Sequence, residues 1–265
     1  MTFTSRSNLL HYRQKWLWVA EAVSLLWLAP VTSGQTLVSS TVNDLLRTDA
    51  RSFVEELRAV RPVSPEMKAR VLASLPQEGE VTRLGKSARR KVASLDRVLR
   101  VHQRDSVYEI KVVEVRQAFV GLYERAVLVV SEPALALLSA GELQAMAAHE
   151  MGHDFAYDRY RRAAGSRLRG ELRSTELFCD AVAVVTLIEA GLDVDGLITG
   201  LEKMARFNEQ FGAALNEDSY PALSERKQFA KRLAAWARVT VPQPQNCCFR
   251  LPIHDQEFRE TKKRN

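Results

Sequence analysis

The sequence predicts an α+β domain that is mostly helical and carries one small antiparallel sheet. Over most of the chain, apolar residues recur at three- and four-residue steps, which is the spacing of amphipathic helices. Between residues 107 and 130 the helical spacing gives way to short apolar segments, the first of them alternating and β-branched, which is typical of strands. Hydrophobic residues make up 46% of the 265 residues, so the chain is long enough and apolar enough for one domain with a buried core.

The predicted sheet consists of three consecutive strands. The first covers Val107–Val115, and the second covers Ala118–Tyr123. The third covers Ala126–Val130 and follows the turn-like pair Glu124-Arg125. Ser131-Glu132-Pro133 then ends the sheet and opens a helix.

Helices are predicted both before and after the strands in the sequence. Ahead of it, the pattern is helical from Asn43 to Leu75, with proline interruptions, and again from Ser87 to Arg100. Behind it, the predicted helices are Gly141–Asp158, Thr175–Ala190, Val194–Phe211 and Leu223–Val239. Gly191 caps the second of these, and the basic stretch Arg159–Arg173 is expected to be a connector.

The two ends of the chain differ from its middle. Residues 1–34 combine a basic start, a short apolar run and small residues at its end, which are the three parts of a secretory signal. The run is shorter than the roughly 20 residues that span a bilayer and contains Glu21. An uncleaved N-terminal membrane anchor and an ordinary amphipathic helix therefore stay open as alternatives. Residues 35–100 are expected to form a helical N-terminal region, and the polar, proline-punctuated residues 241–265 a flexible tail.

Charge and cysteine content narrow the function classes. Much of the net charge of +6 comes from two clusters, Arg89-Arg90-Lys91 and Arg159–Arg173. Neither contains interleaved aromatic residues, so we interpret both as solvated helix faces and expect no nucleic-acid partner; an anionic membrane surface is the alternative. Cys179, Cys247 and Cys248 form no CxxC pair, which argues against a cysteine zinc site. A bridge from Cys179 to the tail stays open.

One short motif, His149-Glu150-Met151-Gly152-His153, points to metal chemistry. Two histidines four residues apart lie on one face of a helix, so both imidazoles can reach the same ion. Catalytic zinc takes three protein ligands and keeps one position open for water. Glu150 is the candidate general base, which takes a proton from that water and later gives it to the leaving amine.

The alternative is that these are two surface histidines on an ordinary helix. Ala145-Met146-Ala147-Ala148, just before the motif, are apolar and favour a buried helix, in which histidines need partners. Gly152 is costly inside a helix. It therefore indicates close packing against another element near the site.

A carboxylate on a second helix is the expected third ligand. Glu176 and Asp180 are four residues apart, and the helix that carries them is otherwise largely apolar. Two acids that face an apolar interior are costly unless each meets a cation or a donor. We therefore expect Glu176 to bind zinc and Asp180 to accept the other ring N–H of a histidine ligand, with His149 favoured. The other interpretation is an exposed Glu176 with Asp180 as a cap.

The segments Leu143–His153 and Glu176–Ala183 together resemble the M48 family of gluzincin zinc metallopeptidases, the Ste24-like and HtpX-like proteins. The resemblance extends from about residue 107 to residue 233. It implies a zincin-like catalytic domain at residues 101–240, whose sheet packs against the motif helix and the glutamate helix. It also implies one Zn²⁺ per chain with His149, His153 and Glu176 as ligands and Glu150 as catalytic base.

The same resemblance implies three further roles. Val127-Leu128-Val129-Val130 is similar to the family's edge strand, which would bind an extended substrate peptide by β-augmentation. Tyr220 stands where the family carries the histidine of a His-Pro motif, and its hydroxyl would donate to the oxyanion. Arg226 matches the family's arginine and would organise the site through a salt bridge. Membrane-embedded relatives insert transmembrane helices where this chain has only the short connector, so it resembles a soluble member.

Two functional hypotheses fit these residues. The first is a zinc-dependent endopeptidase that cuts extracytoplasmic or membrane-associated polypeptides, working in the periplasm or as a secreted protein. The second is a non-catalytic, chaperone-like protein that binds zinc on the same fold and holds polypeptide clients. Tyr220 and the basic connector keep this second hypothesis open. A chance motif in a helical, membrane-surface protein is the third interpretation.

Overall fold

The computed structural model describes residues 49–76, 79–166, 169–211 and 220–240. The predicted signal or anchor at residues 1–34 and the predicted tail at residues 241–265 lie outside the described residues. Within the described ranges, no helix is both long and apolar enough to cross a membrane. The domain boundaries at residues 34, 100 and 240 stay predictions.

The described part of the chain forms ten helices and three strands. The strands are β1 (Glu109–Val113), β2 (Val120–Tyr123) and β3 (Val127–Ser131). The helices before them are α1 (Ala50–Ala59), α2 (Pro65–Ser74), α3 (Lys86–Ser94) and α4 (Asp96–Val101). The later helices are α5 (Glu132–Leu137), α6 (Ala140–Phe155), α7 (Tyr157–Ser166), α8 (Arg169–Glu189), α9 (Asp195–Glu209) and α10 (Leu223–Thr240). The predicted α+β class and the predominance of helix are confirmed.

The sheet is mixed, with β3 in the centre, antiparallel to β2 and parallel to β1. β2 and β3 form a hairpin whose turn residues, Glu124 and Arg125, have φ angles of 45° and 59°. Positive φ at both positions is what a two-residue type I′ turn requires. The expectation of a wholly antiparallel sheet is wrong for β1, because the chain passes from β1 to the far edge as β2 and returns between the two as β3.

The central position of β3 also overturns the predicted substrate edge strand. All five residues of β3 are buried, and β1 and β2 occupy its two backbone edges. Val127-Leu128-Val129-Val130 therefore has no free edge for a peptide. The apolar character of this run has another cause, since its side chains pack alternately into the main core and into a smaller cluster with Val71 of α2.

α6 is the central helix of the fold. A capping box fixes its start: the Ser139 hydroxyl accepts from the Glu142 N–H, and the Glu142 carboxylate accepts from the Ser139 N–H. The helix contacts β2 and packs along α8. Its apolar side chains, among them Leu143 and Met151, lie in the main core. The motif helix is therefore held between the sheet and the glutamate helix.

α8 is also covered by the first and last described helices. Phe53 and Leu57 of α1 pack in one cluster with Val182 and Val185 of α8 and Ala237 of α10. These contacts bury a face of α8 that would otherwise expose branched apolar side chains. The helix α1, which precedes the sheet by some fifty residues of chain, is thus part of the packing that supports α8.

The stretch Arg159–Arg173, expected to be a connector, is largely helical, because α7 covers its first part and α8 begins within it. Two of its cations have packing roles and are not freely solvated. Arg159 donates to Oγ of Ser174 at 2.5 Å, and Arg173 pairs with Glu225 of α10 at 2.6 Å. The second contact ties α8 to α10.

Candidate metal centre

The two histidines of the motif lie one turn apart on α6 and face a carboxylate on α8. Nε2 of His149 is 3.4 Å from Oε2 of Glu176, and Nε2 of His153 is 3.6 Å from Oε1. Each oxygen of Glu176 therefore meets one imidazole. His149 and Glu176 are buried, while His153 is partly exposed. The structure brings the three predicted ligands together where the two helices cross.

The helices approach so closely because α6 has a glycine at the crossing. A Cβ on Gly152 would lie 2.5 Å from Cα and 2.9 Å from Sγ of Cys179, so a side chain does not fit there. The close packing expected at Gly152 is confirmed. Cys179 lies close to both histidines. Its sulfur and one ring nitrogen each of His149 and His153 are within 4.8 Å of one another. Burial, and after it the charge of Glu176, raises the pKa of the Cys179 thiol well above its usual range.

Asp180 holds His149 from the side away from Glu176. Its Oδ1 lies 3.0 Å from Nδ1 of His149. Burial raises the pKa of Asp180, but the guanidinium of Arg226 outweighs it, so the carboxyl stays ionised. An ionised carboxylate can only accept, which places a ring proton of His149 on Nδ1 and leaves Nε2 directed at Glu176.

The charges around the histidines fit a bound cation. Glu150, Glu176 and Asp180 are buried here together with one guanidinium, that of Arg226. Burial lowers the pKa of His149, but hydrogen bonds to Asp180 and Glu176 outweigh it and raise the pKa to about 9. The surroundings therefore favour positive charge at this place. Two imidazoles and one carboxylate are also a known donor set of catalytic zinc.

Glu150 is buried beside His149, with its carboxyl against the sheet. Its Oε2 accepts a hydrogen bond from the backbone N–H of Leu122 in β2 at 3.0 Å. Burial raises the pKa of Glu150, and the imidazoles of His153 and His149 act in the opposite direction. A carboxyl whose pKa is raised toward neutrality suits a group that takes a proton and returns it.

Tyr220 lies just ahead of α10, in a segment that Arg173 holds. The Arg173 guanidinium donates to the Tyr220 carbonyl at 3.4 Å and also pairs with Glu225. Burial, followed by the negative charge of Glu176, raises the pKa of the Tyr220 phenol well above its usual range. The hydroxyl therefore stays protonated and can donate.

Residues 83–219 match the family model described as Peptidase family M48, which covers just over half of the chain. The chain belongs to peptidase family M48. The resemblance carried by the two ligand segments is thereby confirmed. M48 peptidases are in general zinc-dependent metallopeptidases, so this M48 protein is a protease of that broad class. A comparison with curated proteins gave no match.

The matched segment of the M48 peptidase contains both histidines of the motif, Glu150 and Glu176. It ends immediately before Tyr220. The suggested roles of Tyr220 and Arg226 therefore rest on their geometry and not on the match.

The predictions from the sequence assigned no role in the site to three groups of this M48 protein. The ring of Tyr160 on α7 packs edge-on to His153, with centroids 5.2 Å apart. Tyr160 follows His153 by seven residues, a spacing that places two residues on the same face of a helix. This was not used because residues from 159 onward were expected to form a connector. Cys179 follows Glu176 by three residues, so its shared helix face was also available as a signal. The role of the Leu122 N–H could not be predicted from the sequence, because it depends on how β2 packs against α6.

Proposed function

We propose that the protein is a zinc-dependent endopeptidase in which His149, His153 and Glu176 hold one Zn²⁺ and Glu150 is the general base. The position of Glu176 supports this most strongly. Its oxygens lie 3.4 and 3.6 Å from the two Nε2 atoms. Tetrahedral zinc with bonds of about 2.1 Å separates its ligands by about 3.4 Å. Each Nε2 therefore already stands at about this spacing from one oxygen of Glu176.

When bound, zinc supplies a Lewis acid that activates water and polarises the scissile carbonyl. The remaining tasks belong to residues of the chain. Glu150 takes the proton from the attacking water and gives it to the leaving amine. The Leu122 N–H orients the Glu150 carboxylate. Asp180 keeps His149 in the tautomer that binds metal through Nε2.

The polypeptide substrate is proposed to bind along the outer edge of β2, the edge that does not pair with β3. The N–H of Ser131 donates to the carbonyl of Phe119 at 3.0 Å, so these two residues form a hydrogen-bonded pair of the antiparallel ladder. The alternate residues Val120 and Leu122 then direct their backbone groups to the outer edge. The Leu122 N–H meets Glu150 on that edge. A peptide added to β2 would therefore pass in front of the motif.

Tyr220 and Arg226 complete the proposed site. The raised pKa of the phenol, to which the charges of Glu176 and Glu150 contribute, is consistent with a hydroxyl near both carboxylates. Such a hydroxyl can donate to the oxyanion that develops on the substrate. Arg226 acts through Asp180 and keeps α10, with the Tyr220 segment before it, against α8.

We further propose that the substrates are extracytoplasmic or membrane-associated polypeptides and that exposed arginines contact an anionic membrane surface. The basis is the signal-like composition of residues 1–34 and the net charge of +6. Determining the N-terminus of the mature protein from its host tests this proposal. A new N-terminus near residue 34 in an exported fraction supports it, whereas an intact chain confined to the cytoplasm contradicts it.

Glu150→Gln tests the endopeptidase. The amide keeps the shape of the side chain but cannot take the proton, so cleavage of an unfolded polypeptide should fall by about 10²-fold or more. Zinc content should stay near one ion per chain. Fragments are identified by mass spectrometry, with a chelator-treated sample beside the zinc-loaded one. Glu132→Gln, which changes an exposed acid at the start of α5, is the matched control and should cleave normally.

The outcomes separate the two functional hypotheses. Cleavage that survives in Glu150→Gln contradicts the assignment of the base. A wild-type protein that binds zinc and unfolded polypeptides but cuts none of them supports the non-catalytic, chaperone-like alternative. Purified protein with no zinc contradicts both.

A further inference from the structure

Cys179 lies beside the metal position but has no role in the proposed mechanism. It follows Glu176 by three residues on α8, so the two side chains share one face of that helix. Within the described ranges the thiol has no disulfide partner, and it is fully buried. No residue in the described ranges forms a hydrogen bond with it. The contact with Gly152 places its sulfur at the crossing of α6 and α8, where the two histidines also lie.

The sulfur is within reach of both imidazoles. Sγ and one ring nitrogen each of His149 and His153 lie within 4.8 Å of one another. Tetrahedral zinc that binds sulfur at about 2.3 Å and nitrogen at about 2.1 Å separates these two ligands by about 3.6 Å. Sγ therefore has to approach these two nitrogens by about 1.2 Å at most.

We propose that Cys179 is a fourth protein ligand of the metal in the resting protein, together with His149, His153 and Glu176. This inference rests on the proposed zinc site. Coordination breaks the S–H bond: the proton leaves to solvent, and the thiolate donates an electron pair to the ion without a change of oxidation state. Four protein ligands close the position that a catalytic site leaves for water. Hydrolysis would therefore require the thiolate to leave the ion and take up a proton from solvent.

A thiolate ligand also changes the metal preference of the site. Soft cations favour sulfur over nitrogen and oxygen ligands. Cd²⁺ should therefore lose affinity relative to Zn²⁺ when the sulfur is removed. We expect the ratio of cadmium to zinc affinity to fall by about tenfold or more in Cys179→Ala.

Substitution with Co²⁺ tests the proposal directly, without an activity measurement. The visible d–d bands report that the ion is bound, and a near-ultraviolet band from sulfur-to-cobalt charge transfer reports a thiolate ligand. The wild-type protein should show both. Cys179→Ala and Cys179→Ser should keep the visible bands and lose the charge-transfer band. The double variant Cys247→Ala/Cys248→Ala, which removes the other two thiols of the chain, is the matched control and should keep both.

Visible bands without a charge-transfer band in the wild type, or a charge-transfer band that persists in Cys179→Ala, overturn the proposal and leave the zinc site intact. A wild-type protein that binds neither cobalt nor zinc instead overturns the proposed function, and this inference with it. Zinc X-ray absorption on the wild type keeps the test independent of how the variants fold. A sulfur neighbour at about 2.3 Å is expected, and a shell of nitrogen and oxygen alone contradicts the proposal.

Discussion

Arg226 and Asp180 form a bidentate ion pair in the interior of the protein. Nε of Arg226 donates to Oδ2 at 2.8 Å, and Nη2 donates to Oδ1 at 2.5 Å. The same carboxylate accepts from Nδ1 of His149, so one carboxylate links the guanidinium to the metal centre. α10 thus contributes to a site whose ligands stand on α6 and α8.

Arg226→Ala should destabilise the protein by about 3–5 kcal/mol, because it leaves Asp180 as a buried charge without its partner. Zinc affinity should also fall by about tenfold or more, since Asp180 orients His149. Urea denaturation and competition with a chromogenic chelator measure the two effects. Arg232→Ala, on an exposed position of the same helix, should change stability by less than about 0.5 kcal/mol. Equal effects of the two substitutions would contradict the role of the ion pair.

Gly152→Ala should destabilise the protein by about 1–3 kcal/mol or more, because the added methyl overpacks the crossing of α6 and α8. The new Cβ would stand 2.5 Å from the backbone of Cys179, which cannot move without shifting α8. Gly141→Ala, in the first turn of α6, is the matched control, since its Cβ would meet no atom within 4 Å. It should be neutral or stabilising by up to about 1 kcal/mol. Thermal unfolding that ranks the two variants in the opposite order would show that the crossing is not tightly packed.

Tyr220→Phe should reduce kcat by about 10²–10³-fold with little change in KM, because it removes a donor that acts only on the oxyanion. Tyr220→His restores the residue type of the family motif and should recover part of the loss. Steady-state kinetics on a fluorogenic peptide provide both constants. Tyr157→Phe, which removes an exposed hydroxyl bound to Glu124, is the control. A rise in KM alone in Tyr220→Phe would assign Tyr220 to substrate binding and not to the oxyanion.

His102, which follows α4, is a buried histidine remote from the motif in sequence. Its Nε2 lies 2.8 Å from Oγ1 of Thr186. That hydroxyl donates its own proton to the carbonyl of Val182, so Nε2 carries the ring proton. Burial, followed by the positive charge of Arg58, lowers the pKa of His102 from 6.5 to about 3.

Between pH 6.5 and 3, the unfolded chain therefore binds a proton at His102 that the folded protein does not. Stability should fall as the pH falls through this window, by up to about 1.4 kcal/mol per pH unit from this group. His102→Gln removes this contribution, so the wild type should lose stability faster than the variant. Urea denaturation at pH 4, 5 and 6 measures the difference, in which contributions shared by both proteins cancel. A difference that is constant from pH 4 to 6 would show that His102 does not titrate on unfolding.

Features set by local spacing were predictable from the sequence. His149 and His153, like Glu176 and Asp180, share a helix face because each pair is separated by four residues, and the structure places all four at one crossing. Gly191 ends α8 as expected, with a φ of 63° that favours glycine.

Features that depend on contacts between distant segments were not predictable. Residues 127–130 form a continuous apolar run, which is compatible with a strand buried on both faces but does not show which strands lie beside it, so it could not reveal that β3 lies between β1 and β2. Arg226 has its partner 46 residues away on another helix. The helix α7 was concealed by its arginine content, because Arg159, Arg161 and Arg162 in its first six residues favoured the interpretation as a basic connector.

Because α1 and α10 pack on α8, the part of the chain that folds together extends beyond residues 83–219, which match the family model. A fragment trimmed to residues 83–219 would retain all three predicted ligands but lose Phe53, Leu57 and Ala237, which cover Val182 and Val185. It would also leave Asp180 without its guanidinium. Such a fragment should aggregate on expression, so a gene for biochemical work has to include at least residues 49–240.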